Sequence, residues 1–513
     1  MSSQHGNLYN ALRAAFPAEL DAVAVECADG AALHYTWRDL ERGSAMLANL
    51  LGSLALPPQS RIAVQVDKSV EALMLYLAVL RAGHVFLPLN TAYQADEIAY
   101  FVENAEPAVL VCAPKNFAWA SRIAFKAGCG HVFTLGDDRR GSVLERAAHC
   151  SDRHAPVQSH AEDLAAILYT SGTTGRSKGA MLSHGNLLAN ARTLKDYWQW
   201  QRGDVLIHAL PIFHVHGLFV GLHGALLNGS KMIWFSRFEP RATIARFAEA
   251  TVFMGVPTLY VRMLAEPSLT AQSCGRMRLF VSGSAPLLAE TFDDWRERTG
   301  HTLLERYGMS ETVMLTSNPY HGERRRGTVG LALPGVTLRV VGEQGRLCGA
   351  GEIGDIEVRG ASVFAGYWRL PEKTAEEIST DAAGQRWFRT GDVGMVSADG
   401  YVTIVGRSKD LVISGGYNVY PAEVEGYLNE MPGVAESAVI GVPHADFGEA
   451  VVAFVVAKPG CTVDGAAIIA ALKSRIANFK VPKHLATLTE LPRNAMGKVQ
   501  KNLLREQHKH LFG

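Results

Sequence analysis

Short apolar runs alternate with helical patterns along the first 300 residues, and this alternation constrains the fold most. RIAVQV (61–66) predicts a buried strand, and SVEALMLYLAVLRAG (69–83) predicts a helix that ends at Gly83. The strand-then-turn pattern recurs in PAVLVCA (107–113), DLAAILYTSG (163–172), VFMGVPT (252–258) and LFVSGSAP (279–286). Strands that alternate with helices favour a mostly parallel α/β sheet, whose ligands bind beyond the carboxyl ends of the strands.

The pattern changes after about residue 335. GEIGDIEVRG, WFRTGDVG and YVTIVGRSKDLVISGG are short strand patterns with turn residues between them, which favours antiparallel β structure. From Pro421 onward, helical and strand patterns form a compact α+β arrangement. We therefore predict an α/β protein with a large N-terminal domain (1–406) of parallel α/β sheets plus a β subdomain. A boundary segment (407–410) and a small α+β C-terminal domain (411–513) follow.

Composition excludes several classes of protein. The chain has 513 residues, 48% of them apolar, which is typical of a globular protein and excludes a collagen, a coiled coil or a largely disordered chain. Its 50 basic and 50 acidic side chains balance, so binding to nucleic acid through phosphate neutralisation is not expected. Seven scattered cysteines without CxxC pairs argue against a disulfide framework. With no secretory pattern and no long apolar run, we expect a cytoplasmic protein without a membrane span.

The segment YTSGTTGRSKG (169–179) is rich in hydroxyls, glycines and cations and directly follows the apolar strand pattern LAAIL. Glycines let backbone N–H groups approach an anion closely, and hydroxyls and a lysine add donors. It is not a Walker A loop, because Ser177 stands where that motif requires glycine. We predict a phosphate-binding loop whose donors are Thr170, Ser171, Gly172, Thr173, Thr174, Gly175 and Lys178.

This loop resembles the [ST]SG[ST]TGxPKG motif of the adenylate-forming superfamily, which includes acyl-CoA synthetases, firefly luciferase and peptide-synthetase adenylation domains. Ser177 replaces the usual proline. Further resemblances follow in order: LPIFHVHGL (210–218), GSAPL (283–287), RYGMSET (306–312), FRTGDVG (388–394), GRSKDLVISGGYNVYPAEVE (406–425) and PRNAMGKV (492–499). Together these motifs span most of the chain, which makes the resemblance specific.

The resemblance implies a two-step reaction that uses ATP, Mg²⁺ and CoA. A carboxylate attacks the α-phosphate of ATP to form an acyl-adenylate and pyrophosphate, and the CoA thiol then displaces AMP. It implies that Lys498 bridges the carboxylate and the α-phosphate, that Ser310 bonds the α-phosphate and that Glu311 holds Mg²⁺. The remaining nucleotide contacts that it implies are Gly283, Ser284, Ala285, Glu305 and Tyr307 at the adenine side and Asp392 and Arg407 at the ribose.

The same resemblance implies a mobile C-terminal domain. Lys498 serves the first step, whereas Gly415 and Gly416 are implied to contact the pantetheine arm of CoA in the second. The domain is expected to rotate about a hinge at Lys409. PRNAMGK also has the shape that protein acetyltransferases modify in bacterial acyl-CoA synthetases, so Lys498 is a candidate acetylation site.

The acid is predicted from the pocket residues. Arg306, Arg262 and Ser282 would place two guanidiniums and a hydroxyl at the closed end of a small pocket, which calls for a second carboxylate. GVPTLYVRML with ERYGMSETVMLTSNPY resembles the malonyl-CoA synthetases in particular. His214 is expected to line the channel between the acyl and CoA sites, and Val215 and Met314 to limit the 2-substituent, so that methylmalonate could also be accepted.

Other functions stay open at this point. The arginines could be structural in a fatty or aryl acyl-CoA synthetase, or the protein could load a separate carrier protein. A luciferase-type oxygenase shares the motifs. A zinc site is disfavoured, because the segment holding His208, His214, His216 and His223 offers no cysteine or acid. His216 is interpreted as structural.

Overall fold

The computed structural model describes residues 6–29, 33–170, 177–444, 446–494 and 497–512. Its strands, in chain order from β1 to β26, are Val23–Cys27, Leu33–Thr36, Arg61–Gln65, Val85–Pro88, Val109–Cys112, His131–Thr134, Leu164–Thr170, Lys178–Ser183, Val205–His208, Lys231–Trp234, Val252–Gly255, Leu279–Ser282, Leu304–Met309, Val313–Ser317, Leu331–Ala332, Val336–Val341, Gly354–Gly360, Gly366–Tyr367, Ile378–Thr380, Arg386–Val396, Val402–Arg407, Val412–Ser414, Tyr417–Val419, Val434–His444, Gly448–Ala457 and His484–Leu488.

The α-helices of the described residues, α1 to α15, are Leu8–Ala14, Trp37–Ser53, Val70–Arg81, Ala95–Ala105, Phe117–Lys126, Ser142–Ala147, His184–Tyr197, His223–Asn228, Pro240–Ala245, Pro257–Leu264, Ala289–Thr299, Pro371–Glu376, Pro421–Asn429, Gly465–Leu472 and Lys501–His508. A π-helix, His216–Leu222, precedes α8. Short 3₁₀ turns occupy Pro114–Asn116, Phe247–Glu249, Glu343–Gly345 and Ser408–Asp410.

The chain divides into two compact units. Unit 1 comprises Met1–Thr337 and Arg359–Ile378, and unit 2 comprises Leu338–Val358 and Ser379–Gly513. The predicted hinge segment 407–410 lies inside unit 2, and its function as a domain boundary stays a prediction.

Unit 1 contains two mostly parallel sheets. One has nine strands in the order β15-β14-β13-β12-β11-β9-β10-β1-β2, in which the run from β13 to β1 is parallel. The other has seven strands in the order β18-β8-β7-β4-β3-β5-β6, in which β7, β4, β3, β5 and β6 are parallel. In each sheet the second strand from one edge, β14 or β8, runs antiparallel to both of its neighbours.

Helix α3 shows how the sequence produces this packing. The side chain of Ser69 caps the helix by accepting a hydrogen bond from the Ala72 N–H, and all twelve helix residues are buried. A mostly apolar helix that is buried on every side is expected in the interior of a layered α/β domain. The predicted helix and the strand before it are confirmed at β3 and α3.

Unit 2 also contains two sheets. Strands β16, β17, β20 and β19 form a sheet in that order, with β21 paired to β20, and its β17–β20 and β20–β21 pairs are antiparallel. The second sheet has the order β23-β22-β25-β24, with β26 parallel to β25. An apolar core that includes Val424, Leu428, Val439 and Val451 packs the C-terminal part. The predicted fold class, parallel α/β sheets with a β portion and a smaller α+β portion, is thereby confirmed.

Candidate active site

The predicted phosphate-binding loop connects two antiparallel strands of unit 1. Thr170 at the end of β7 pairs with Lys178 at the start of β8. Ser171, Gly172, Thr173, Thr174 and Gly175 lie outside the described residues, so their predicted role is not addressed. The phenolic hydroxyl of Tyr100 donates to the Ser177 carbonyl at 2.7 Å, and this hydrogen bond holds the residue that directly precedes β8.

Lys178 lies between an aromatic ring and a carboxylate. Its Nζ is 4.0 Å from the centroid of the Tyr367 ring and 3.6 Å from Oε1 of Glu377. Both partners come from the segment Arg359–Ile378, which belongs to unit 1. The ammonium is therefore held close to the mouth of the predicted phosphate loop by an ion pair and a cation–π contact.

Ser310 and Glu311 occupy the tight connection between β13 and β14, whose strands pair as an antiparallel hairpin. Glu311 is only 5% exposed. The Tyr367 hydroxyl donates to its Oε1 at 3.0 Å, and the Phe364 N–H donates to its carbonyl oxygen at 2.8 Å. Glu311 and Lys178, which the sequence assigns to Mg²⁺ and phosphate, thus contact the same tyrosine.

The turn Gly283–Ala285 follows β12, at the sheet edge where β13 also continues. Ser284 has φ = 75°, a left-handed conformation that is uncommon for a residue other than glycine and is frequent at functional sites. Tyr307, predicted to face adenine, is half-buried on β13. Glu305 is buried on the same strand; burial raises the pKa of its carboxyl to about 8, while the Leu287 N–H and Arg306 act in the opposite direction.

Arg306 is 3% exposed and packs directly against Gly283. A Cβ atom on Gly283 would lie 2.5 Å from Cζ of Arg306, so only glycine leaves room for the guanidinium. Burial lowers the pKa of Arg306 to about 9, opposed by the nearby Tyr260 and Glu305. Its Nε and Nη2 atoms have no hydrogen-bond partner in the described part of the chain, and neither has the fully buried Oγ of Ser282.

His216 is a site residue that the sequence analysis missed. It begins the π-helix, is fully buried, and its Nδ1 lies 3.3 Å from Oγ of Ser284. Burial lowers its pKa well below the usual value, and the charge of Arg306 lowers it further, so the imidazole is neutral beside the guanidinium. Its Nε2 is buried without a partner among the described residues. The sequence signal for this residue was the HVH segment (214–216), in which two histidines alternate with a valine. The sequence analysis assigned a functional role only to the first of them, His214.

The other residues predicted for the acid pocket differ in their burial and in their contacts with His216. Nδ1 of His214 lies 3.3 Å from the His216 N–H, and Val215 and Met314 are buried. Arg262, by contrast, is an exposed residue of α10. The structure therefore brings His216 together with His214 and with Ser284, whereas the role of Arg262 stays a prediction.

In unit 2, Asp392 and Arg407 face each other on the neighbouring strands β20 and β21. Nε of Arg407 lies 2.7 Å from Oδ1 of Asp392, whose side chain is buried. The Asp392 N–H donates to Oγ1 of Thr390 at 3.1 Å. A carboxylate fixed in this way presents acceptors suited to two vicinal hydroxyls, as the ribose prediction requires.

Lys498 lies next to Val499, which forms an isolated antiparallel bridge with Arg493. Its N–H donates to Oδ1 of Asn494 at 3.0 Å. Desolvation and the charge of Arg407 lower the pKa of its ammonium, whereas Asp392 and Asp410 act in the opposite direction. Unit 2 thus places the predicted catalytic cation in the electrostatic field of the predicted ribose-binding pair.

Two further predicted residues of unit 2 lie in turns. Lys409 is exposed in the 3₁₀ turn Ser408–Asp410. Gly415 and Gly416, with φ of 60° and 81°, form the two-residue connection between β22 and β23. Positive φ at both positions is typical of a type I′ hairpin, which explains the glycine pair.

Comparison with known families agrees with this arrangement. The model of the AMP-binding enzyme family matches residues 13–368, and that of the AMP-binding enzyme C-terminal domain matches residues 423–498. The chain belongs to the AMP-binding enzyme family. The resemblance predicted from its motifs is therefore confirmed.

Individual members of this family resemble the chain over nearly its whole length. It is 33% identical to a malonate–CoA ligase of Arabidopsis thaliana, covering 98% of this chain and 90% of that protein. It is also 33% identical to a feruloyl-CoA synthase of Amycolatopsis, covering 92% of this chain and 94% of that one. The crystal structure of ATP-bound MatB from Rhodopseudomonas palustris is 51% identical, with a TM-score of 0.95, covering 99% of this chain and all of that one.

Among the described residues, the longest and most apolar helices fall short of what a bilayer crossing requires.

Proposed function

We propose that this protein is an AMP-forming acid–CoA ligase that acts on malonate. It would convert malonate, ATP and CoA into malonyl-CoA, AMP and pyrophosphate through a malonyl-adenylate, and would accept methylmalonate. The observation that carries the choice of acid is the buried guanidinium of Arg306, with Nε and Nη2 unpartnered among the described residues.

A buried cation without a partner is costly, so a pocket that keeps one is built for an anion. Arg306 offers planar, paired donors that match a carboxylate, and Ser282 and His216 on neighbouring elements have unpartnered polar atoms as well. One carboxylate of any acid substrate must stay free to react with ATP. The donors around Arg306 therefore call for a second carboxylate on the same small molecule.

The relatives support this proposal. Malonate–CoA ligases occur among those with nearly full-length similarity, and the structure of MatB contains ATP. The feruloyl-CoA synthases at similar identity support the second candidate, an aryl acyl-CoA ligase. An aromatic acid would leave the charge of Arg306 without an anionic partner, which favours the dicarboxylate.

The residues of the chain can supply what adenylation requires. Step one brings anions together, so cations and donors placed beforehand lower its barrier. We propose that Lys178 and the loop before it hold the phosphates, that Asp392 and Arg407 hold the ribose, and that Lys498 binds the reacting carboxylate and the α-phosphate. Acetylation of Lys498 would remove that charge and block the first step.

Glu311 fits a magnesium ligand. Mg²⁺ is usually held by one or two carboxylates together with phosphates and waters, and Glu311 provides a buried carboxylate that accepts a hydrogen bond from the Tyr367 hydroxyl. No cluster of three or more metal-ligating side chains occurs in the part of the chain that the structure describes. When bound, the metal would neutralise phosphate charge.

The test is a panel of acids assayed for AMP release in the presence of ATP and CoA. Malonate, methylmalonate, propionate, octanoate, benzoate and ferulate are compared by kcat/KM, and the thioester is identified by mass. We expect malonate to exceed propionate by roughly a hundredfold or more, because a buried unpaired charge costs about 3–5 kcal/mol. A preference for benzoate, ferulate or octanoate would overturn the choice of malonate but not the ligase assignment.

A further inference from the structure

Tyr367 occupies an unusual position in unit 1, because a single side chain contacts two residues that are far apart in sequence and both predicted to serve the nucleotide. Its hydroxyl donates to Glu311 at 3.0 Å, and the face of its ring lies 4.0 Å from Nζ of Lys178. None of the motifs in the sequence includes it.

The ring is held in place from several directions. Tyr367 is 4% exposed and lies in the two-residue strand β18, opposite Ala180 of β8. Its N–H donates to Oγ1 of Thr374 at 2.9 Å, and its ring packs edge-on against Phe364 at 4.9 Å. The orientation of the hydroxyl and of the ring face is therefore set by packing within the protein.

The segment that carries Tyr367 also holds the backbone of Glu311. The Phe364 N–H donates to the Glu311 carbonyl oxygen at 2.8 Å, three residues before the tyrosine donates to its carboxylate. Residues 364–367 therefore fix both the main chain and the side chain of the acid. A carboxylate that ligates a metal is commonly oriented by such a hydrogen bond, whose loss typically costs 10- to 100-fold in metal affinity.

We propose that Tyr367 is a positioning residue for the metal–nucleotide complex: its hydroxyl aims the Glu311 carboxylate at the metal, and its ring holds the Lys178 ammonium beside the phosphate loop. This inference rests on the proposed function, since it concerns the ATP that the ligase would use. The proposal assigns one role to the hydroxyl of Tyr367 and another to its ring, and two substitutions can separate these roles.

Tyr367→Phe removes only the hydroxyl, whereas Tyr367→Leu removes both the hydroxyl and the aromatic face. Tyr35→Phe is the matched control, because Tyr35 also donates to a buried glutamate, Glu71, outside the predicted site. Binding is measured directly on the full chain. Mn²⁺ is titrated by electron paramagnetic resonance at a fixed concentration of an ATP analogue with a methylene between the α- and β-phosphates, and metal-free analogue binding is measured by calorimetry.

We expect Tyr367→Phe to weaken Mn²⁺ binding by about 10- to 100-fold while metal-free analogue binding changes less than about twofold. Tyr367→Leu should weaken metal-free binding as well, and Tyr35→Phe should match the wild type. In a Glu311→Gln background, Tyr367→Phe should have little further effect on Mn²⁺, since the group it orients is gone. A purely structural role would predict additive losses and an equal rise in KM for the acid.

The inference is overturned if Tyr367→Phe binds Mn²⁺ as the wild type does, or if its loss is undiminished in the Glu311→Gln background. The proposed function fails separately, if the wild type binds neither the analogue nor metal and releases no AMP with any acid of the panel. If the wild type has ligase activity but Tyr367→Phe binds Mn²⁺ as tightly as the wild type, only the positioning role of Tyr367 is rejected.

Discussion

Replacing Arg306 with methionine should make the protein more stable and a worse malonate ligase at the same time. Methionine has a similar length and fills the space against Gly283 without a charge. Nε and Nη2 of Arg306 lack hydrogen-bond partners among the described residues, so the substitution removes a buried charge together with its electrostatic interactions with Tyr260 and Glu305. With malonate bound, the same substitution removes the group that would pair with the second carboxylate.

The two effects can be sized from the structure. Burial lowers the pKa of Arg306 from 12.5 to about 9, so the protein destabilises the charged form relative to the neutral form by roughly 5 kcal/mol more than water does. Replacing a buried charge with an apolar side chain commonly stabilises a protein by about 1–4 kcal/mol, so we expect a Tm higher by about 1–5 °C. A second carboxylate deprived of its partner costs about 3–5 kcal/mol, or roughly 150- to 5,000-fold in kcat/KM.

The assay compares malonate with propionate, which replaces the second carboxylate by a methyl group. In the Arg306→Met variant, kcat/KM for malonate should fall while that for propionate stays level or rises. Arg241→Met changes an exposed arginine of α9 and is the matched control. Malonate should raise the Tm of the wild type and of the control, but not that of Arg306→Met.

Two results would refute the reasoning. A malonate-to-propionate ratio within about threefold of the wild type would mean that Arg306 does not bind the second carboxylate. A ligand-free variant that is less stable than the wild type would mean that the guanidinium is already satisfied inside the protein.

Three further predictions concern Arg306, Lys498 and Lys409. The affinity for malonate, measured by calorimetry, should decline as the pH rises through about 9, because only the protonated guanidinium binds a carboxylate and burial lowers the pKa of Arg306 to about 9; an affinity unchanged up to pH 11 would contradict this. Lys498→Ala should reduce malonate-dependent pyrophosphate exchange by about 100-fold or more, yet leave thioester formation from synthetic malonyl-adenylate within about threefold; equal losses would remove its assignment to the first step. Lys409→Pro, which fixes φ near −65°, should retain adenylate formation and block thioester formation, as separate assays of the two half-reactions would show; equal loss of both would reject Lys409 as the hinge.

The elements of the fold that could be predicted are those specified by local patterns. The apolar run 61–66 and the helical pattern after it correspond to β3 and α3, and the pattern at 279–286 corresponds to β12 and the turn beyond it. In each case a buried periodic segment ends at a turn residue. The residues that specify the element therefore lie within about fifteen positions of one another in the sequence. The helical pattern GAAIIAALKSRIANF (465–479) predicts a longer helix than the structure has, since α14 ends at Leu472.

The parts of the site that could not be predicted depend on contacts distant in sequence. Tyr367 is 56 residues from Glu311, and the short strand β18 that carries it has no periodicity to recognise. The pairing of His216 with Ser284 across 68 residues is equally invisible in either local pattern. The exposure of Arg262 depends on how α10 packs, whereas the sequence shows only that an arginine follows a strand.

The predicted nucleotide residues and the predicted acid pocket differ in a way that bears on specificity. Asp392 is paired with Arg407, Lys178 with Glu377 and Glu311 with Tyr367, so these groups are oriented by contacts within the protein. Arg306, Ser282 and His216 instead keep buried polar atoms without partners in the described residues. The paired nucleotide residues lower the entropic cost of ordering the site when ATP binds. The acid pocket instead keeps unpartnered polar atoms, whose hydrogen bonds only an anion of the right length can complete. A monocarboxylate would leave the Arg306 guanidinium unpaired. Discrimination between monocarboxylic and dicarboxylic acids would therefore come from the same buried charge that lowers the stability of the fold.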